Sequence, residues 1–324
     1  MAATTADVIL DLIEARRRDQ VASSVLELCR SDGIDAAVAV LAAVQLEVGA
    51  RWQAQRWTVA DEHAASAIID HALSSACLGL SSRTQGRPVV VACVEDEWHV
   101  LPARMLSEQL RSRRWDALFL GASSPAGELG RFTADVAPVA VVLSCSMPMH
   151  LPGARRSVEA CHDAGVPVVV GGGAFGGPAR AAAIGADRWC ADVSELHDTL
   201  IEWALERPAL ASPTVEPPKP VTTSQRRLVL DLAARAVFER VPPLAEAPLH
   251  EQDRVRDDLE ALLCSAEASA HGGDPGIFRD QVAWQSSVSH ARGEPDGLVD
   301  VLVQALRGAL PAGSPLAGQL PVET

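Results

Sequence analysis

Pro88-Val89-Val90-Val91-Ala92-Cys93-Val94-Glu95-Asp96-Glu97-Trp98-His99-Val100-Leu101-Pro102 decides the fold. The first seven residues are an unbroken apolar run rich in valine, the pattern of a parallel strand covered on both faces. A mostly polar loop follows, then a helix-forming stretch, Ala103 to Leu110. Strand, loop and helix in that order open a βαβ series. The loop then falls at the carboxyl edge of the sheet, where open α/β sheets bind their ligands. Glu97 and His99 stand two apart within it. An imidazole can ligate a metal through one nitrogen while a carboxylate holds the N–H of the other, so Glu-x-His is a candidate ligand pair. A solvated surface loop is the competing reading.

Downstream, the same alternation continues. Strands are expected at 88–94, 117–121, 139–144 and 166–171, with a short one at 188–190. Helices are expected at 101–114, 125–136 and 153–164, and from the N-cap candidate Asp192 to residue 205. This makes residues 85–206 a doubly wound, Rossmann-like parallel sheet with helices on both faces. Upstream, residues 1–84 are read as a helical bundle: apolar residues recur at helical spacing around Val8–Ile13 and Val21–Leu28, then over 36–48 and 58–80. Ala60, His63, Ala64, Ala67 and His71 form one stripe of its last helix.

Residues 207–223 are proline-rich and read as an extended, semi-rigid linker. Residues 224–324 are helical again, with Ser224 as a cap, helices to about Arg240, over 250–270 and 298–310, and an Asp274-Pro275 start to a further helix. The tail from Pro311 is expected to be mobile. The fold class is thus α/β plus all-α.

With 28 Lys and Arg against 42 Asp and Glu, the formal net charge is −14. Such a surface argues against sequence-independent nucleic-acid binding, which needs clustered cations. Seven scattered cysteines without a CxxC pair fit reduced thiols. No apolar run approaches the ~20 residues of a membrane helix, and the N-terminus lacks a basic segment followed by an apolar one. A cytoplasmic location is expected.

Two further stretches join the loop. Trp52 is followed after nine residues by Glu62-His63, which places a Trp at the end of one helix and a Glu-His pair in the first turn of the next. Ser144-Cys145-Ser146 and Gly171-Gly172-Gly173-Ala174-Phe175 close two adjacent strands, and small residues there leave a slot for a ligand close to the backbone. A turn or a phosphate loop would use such glycines too, but neither GxGxxG nor a Walker pattern is present.

Taken together, these stretches resemble cobalamin-binding proteins. A helical cap before a Rossmann-like domain is similar to corrinoid modules. Glu97 and His99 match the Asp/Glu-x-His-x-x-Gly signature, with Pro102 where the glycine stands. Ser144 matches the Ser-x-Leu region, with Ser146 in place of leucine, and Gly171-Gly172 match the Gly-Gly region. Trp-x9-Glu-His resembles CarH-type photoreceptors, which hold adenosylcobalamin. Gln53 replaces their histidine after the tryptophan, leaving His63 as the nearest substitute.

The resemblance implies that His99 is the lower axial cobalt ligand, oriented by Glu97 with Trp98 alongside. It implies a slot for the nucleotide tail at Ser144, Ser146, Gly171, Gly172, Gly173 and Phe175. Trp52, Glu62 and His63 would meet the upper face. The implied protein is a light sensor rather than an enzyme, a homo-oligomer whose conformation and assembly change on Co–C photolysis. With the cap at its start and an acidic composition, the chain is not expected to be a DNA-binding repressor, and the layout resembles photocobilins, in which a globin-like domain holds biliverdin. Trp284 and His290 are the candidates to line such a pocket; Cys264 is not taken as an attachment point. The alternatives are a corrinoid methyl-transfer subunit, and a haem or redox sensor using His271 or His290.

Overall fold

The structure is a computed structural model that describes residues 4–78, 87–219 and 221–320. The expected boundary at 84–85, the last residues of the expected helix 58–80, and the tail beyond 320 lie outside the described residues.

The N-terminal part is four helices, α1 (Thr5–Glu14), α2 (Arg18–Ser31), α3 (Ile34–Gln53) and α4 (Val59–Cys77). Thr4 and Thr58 begin α1 and α4 with reciprocal capping boxes to Asp7 and Asp61. Ile9, Leu41, Ile69 and Leu73 are among the residues that close its core. The buried stripe of α4 is Ala65, Ile69, Ala72, Leu73 and Ala76, so the stripe expected from Ala60 to His71 lies outside it, exposed except at half-buried His71. Alanines occur on several sides of this helix and give periodicity little contrast.

The middle part is a five-stranded parallel sheet: β1 (Pro88–Cys93), β2 (Asp116–Phe119), β3 (Val141–Ser144), β4 (Val168–Gly171) and β5 (Arg188–Trp189), in the order β2-β1-β3-β4-β5. Helices α5 (Val100–Ser112), α6 (Ala126–Val136), α7 (Leu151–Asp163), α8 (Pro178–Ala183) and α9 (Val193–Leu205) connect or follow the strands. Asp192 caps α9 as expected. One face of the sheet packs on α5 and α9 through Ala103, Leu110, Leu200 and Trp203. The other packs on α6, α7 and α8 through Leu129, Leu151, Val158 and Ile184. The chain reverses direction across the sheet between β1 and β3, which makes their carboxyl ends the topological switch point and the natural ligand crevice.

Residues 207–219 have no regular structure, but they are not free. Arg207 donates to the carbonyls of Gly165 (2.6 Å) and Pro138, Ala211 N–H donates to Asp187, and Arg155 donates to the Val215 carbonyl. The expected linker is a strap along the sheet part. Beyond it come α10 (Thr223–Arg240), α11 (Pro242–Ala245), α12 (Leu249–Gly272), α13 (Gly276–Ala291) and α14 (Leu298–Ala309). The cap of α10 is Thr222, in a capping box with Gln225, and not Ser224. The tail is not loose up to residue 320: Leu316 and Leu320 are buried in the core of these helices.

The bundle and the C-terminal helices flank the switch point. Leu101 and Met105 of α5 belong to the core of the bundle. On the other side α12 packs on α7, α8 and a 3₁₀ turn, Pro148–His150, and Ala268 and Ile277 enter the sheet core.

Candidate functional site

At the switch point, one carboxylate organises two loops. Glu97 has 0% exposure. Its Oε1 accepts from the His99 backbone N–H at 2.8 Å and from His99 Nδ1 at 2.7 Å. Its Oε2 accepts from the N–H groups of Ser146 at 2.7 Å and Met147 at 3.0 Å. The loops after β1 and β3 are therefore held together by a buried negative charge with four donors. Burial by itself pushes this carboxyl up, but the hydrogen bonds from His99 and Met147 outweigh it and bring it down to about 2.

An ionised acceptor at Nδ1 fixes the His99 tautomer: Nδ1 carries the proton and, in the neutral ring, Nε2 keeps a lone pair. The side chain is 57% exposed, so the free edge of the ring is open. The hydrogen bond to Glu97 raises the His99 pKa against the opposing effect of burial, and the charges of Glu97 and, from α4, Glu62 add to the rise. Glu62 thus belongs to the electrostatic surroundings of His99, although it is 37 positions away and on the bundle rather than the sheet part.

The rest of the loop is braced. Asp96, at φ +67°, donates its N–H to Ser123 Oγ. Arg156 holds Glu95 at 2.7 Å, and a Cβ on Gly153 of α7 would come within 2.7 Å of the Glu95 carbonyl oxygen. Trp98, between Glu97 and His99, is 73% exposed. Pro102 lies in the first turn of α5, where no N–H is needed for an intrahelical bond. The departure from glycine there is compatible with the helix.

Ser144 and Gly171 are register partners on β3 and β4, and Ser144 is buried. Gly172 has φ +103°, and a Cβ there would collide with the Cys145 carbonyl oxygen. The chain's own backbone, rather than a ligand, accounts for this glycine. Gly173 is less tightly placed, with the Ser146 carbonyl oxygen 3.4 Å from a Cβ position. Phe175 is fully within the sheet core beside α7 and α8.

Trp52 is in the last turn of α3, Glu62 ends the first turn of α4 and His63 follows it, at one end of the bundle. Glu62 accepts from Ser66 Oγ at 2.8 Å and contacts His63 Nδ1 at 2.6 Å. His63 is largely exposed. Trp52 stacks on Trp284 of α13, ring centroids 6.2 Å apart and planes at 26°. This contact left no mark in the sequence, since nothing local ties the two residues together.

Trp284 and His290 lie on different sides of α13. Six residues on one helix turn the side chains by about 240°, and His290 instead borders a depression of about 190 Å³ with Ser286, Ser289 and Glu294. His271 lies against α7, where burial and the Arg155 and Arg156 charges lower its pKa to about 4. Among the described residues, no group of three or more His, Cys, Asp or Glu is arranged to hold a bare metal ion. The geometry suits one imidazole completing the coordination of a metal that brings its other ligands with it.

Residues 87–195 match a family model described as B12 binding domain, and residues 5–75 match a second model of the same description, together more than half the chain. This chain is a cobalamin-binding protein. No curated protein matches it. Among solved structures, the Methanosarcina barkeri monomethylamine corrinoid protein is similar at 15% identity with a TM-score of 0.52, over 61% of this chain and 97% of that one. A cobalamin-binding protein from Desulfitobacterium hafniense DCB-2 (20% identity, 61% and 96% coverage, TM-score 0.34) and the methanol:cobalamin methyltransferase complex of Methanosarcina barkeri (18%, 61% and 80%, 0.33) are further matches. The cobalamin-binding protein described here therefore shares a fold with a corrinoid protein over about three fifths of its length. No described helix is long and apolar enough to cross a membrane.

Proposed function

We propose that this cobalamin-binding protein is a light sensor that holds adenosylcobalamin with His99 as the lower axial ligand. The observation that carries the ligand assignment is the buried Glu97 carboxylate, which fixes Nδ1 as a donor and leaves Nε2 on the open side of the ring. Trp98, exposed beside it, supports a flat apolar occupant over the loop. When bound, adenosylcobalamin supplies a cobalt–carbon bond that visible light breaks.

The residues of the chain have separate parts in this reading. Glu97 keeps His99 in one tautomer and one orientation. Ser144, Ser146, Gly171 and Gly173 border the slot for the nucleotide tail, with Gly172 shaping its backbone and Phe175 packed in the core beneath it. Trp52, Glu62 and His63 meet the upper side from the bundle. Gln53, next to Trp52, cannot replace histidine as a ligand, so His63, exposed and adjacent to Glu62, is the candidate for the upper site after light. The Trp-x9-Glu-His spacing is what favours light sensing. Biliverdin is not part of this reading, because Trp284 is engaged with Trp52 and His290 faces a different depression.

A second reading is a corrinoid subunit of a methyl-transfer system, in keeping with the fold shared with the monomethylamine corrinoid protein. In that case the upper side must open to a partner enzyme. Protein loaded with adenosylcobalamin in the dark, then lit with green light, separates the two. A changed visible spectrum accompanied by a changed mass in light scattering is expected of the sensor. Photolysis with no change of mass or shape, together with methyl transfer to or from a partner, overturns it.

A further inference from the structure

Trp284 holds no part of the cofactor in the proposed function, yet it makes the aromatic stack on Trp52, the residue set at the upper face. The surroundings explain how it gets there. Among the described residues, the C-terminal helices are fastened chiefly to the sheet part. Arg180 of α8 binds Asp274 through two nitrogens, at 2.9 and 2.7 Å, and donates to the Ala174 carbonyl at 2.9 Å. Gly272 at the end of α12 lies so close to α7 that a Cβ would be 3.4 Å from Leu151 and 3.1 Å from Ile277. Helix α12 also packs on the 3₁₀ turn Pro148–His150, which directly follows the two amides that hold Glu97. From this anchorage α13 reaches the bundle and sets one indole against Trp52.

We propose that Trp284 is a positioning residue of the cobalamin site. The C-terminal part, anchored beside the His99 loop, braces Trp52 from outside and so sets the space available to the group on the upper side of the corrin. The proposal rests on the placement of Trp52 at the upper face. The C-terminal helices then feel any displacement of Trp52 through a ring stack, while the sheet holds their other end still. A stack of two indoles contributes about 1 kcal/mol beyond burial, equivalent to roughly fivefold in a binding constant. A bulky upper group pressing on Trp52 works against that stack, and a small one leaves it intact.

The test uses the full chain, wild type and with Trp284→Ala or Trp284→Phe, loaded in the dark with adenosylcobalamin or methylcobalamin. Release is followed by visible absorbance. The stacked indoles of the free protein are followed by their exciton couplet in far-ultraviolet circular dichroism. The couplet should be present in wild type and absent from the Trp284→Ala and Trp52→Phe variants. Trp284→Ala should alter the ratio of the adenosylcobalamin and methylcobalamin release rates by roughly fivefold, and Trp284→Phe should restore part of it. The spectrum of His-ligated cobalamin should be the same in all of them. A couplet that survives Trp284→Ala, or release rates that change equally for both cofactors, overturns the role of Trp284 while leaving the cobalamin site intact. Failure of the wild-type protein to take up either cofactor in the His-ligated form overturns the site assignment and this role with it.

Discussion

Replacing Glu97 with glutamine tests the centre of the site with the smallest change of shape. The carboxylate is fully buried and accepts from four N–H groups, two on each oxygen. An amide can present only one oxygen, so its NH₂ must face either the Ser146 and Met147 amides or the two donors of His99. Two buried donors then lose their acceptor, at about 1–3 kcal/mol each. The half-exposed histidine edge recovers part of this through water, which brings the expected loss to about 3 kcal/mol. The second consequence is for the ring. Without the charge, the His99 pKa falls, Nδ1 is held less firmly, and cobalamin affinity should drop about 10–100-fold, as for other groups that orient a metal-bound histidine. Chemical denaturation of the free protein measures the first effect and a visible-absorbance titration with cobalamin the second. A Glu97→Gln protein within ~0.5 kcal/mol of wild type and with unchanged cobalamin affinity would refute the reasoning.

Other expectations follow from single residues. Gly172→Ala places a methyl against the Cys145 carbonyl oxygen at a positive φ, and should cost at least ~2 kcal/mol, read as a lowered midpoint of thermal unfolding. His271 has its pKa lowered from the ordinary value to about 4, so the unfolded chain takes up this proton first. Stability should fall as pH drops from about 6.5 to about 4, with a slope below ~1.4 kcal/mol per pH unit because the ring keeps some solvent contact. His271→Asn should flatten that part of the profile, and an unaltered slope would count against the assignment. Asp274→Ala removes both the Arg180 pair and the acceptor for the Gly276 N–H. It should destabilise the protein by ~1–2 kcal/mol and make the 207–219 strap more sensitive to limited proteolysis; cleavage at the wild-type rate would argue against the anchorage.

The doubly wound sheet was legible because parallel strands are short continuous apolar runs, and 88–94, 139–144 and 166–171 are such runs with polar or glycine stops. The pairing of Glu97 with His99 was legible because a two-residue separation is a local property. What holds that pair was not: the Ser146 and Met147 contributions are backbone amides, and nothing in a side-chain pattern announces them. The same holds for Gly172, whose reason lies in the Cys145 carbonyl just past the end of the neighbouring strand. Thr222 and Ser224 are equivalent as hydroxyl caps, and only the glutamine three residues after Thr222 discriminates between them. Leu316 and Leu320 sit among Pro and Gly in the sequence, so their burial depends on a groove made by helices elsewhere. Trp284 was legible as an aromatic residue on a helix, but its partner is 232 positions away.

Axial coordination by His99 is tested most directly by electron paramagnetic resonance of the cobalt(II) cofactor bound to protein in which histidine alone carries nitrogen-15. With His99 as the ligand, the superhyperfine pattern of each cobalt line changes from a triplet to a doublet, and His99→Ala abolishes the change. Persistence of the triplet in the labelled wild-type protein would mean that the cofactor keeps its own base, and would contradict the account.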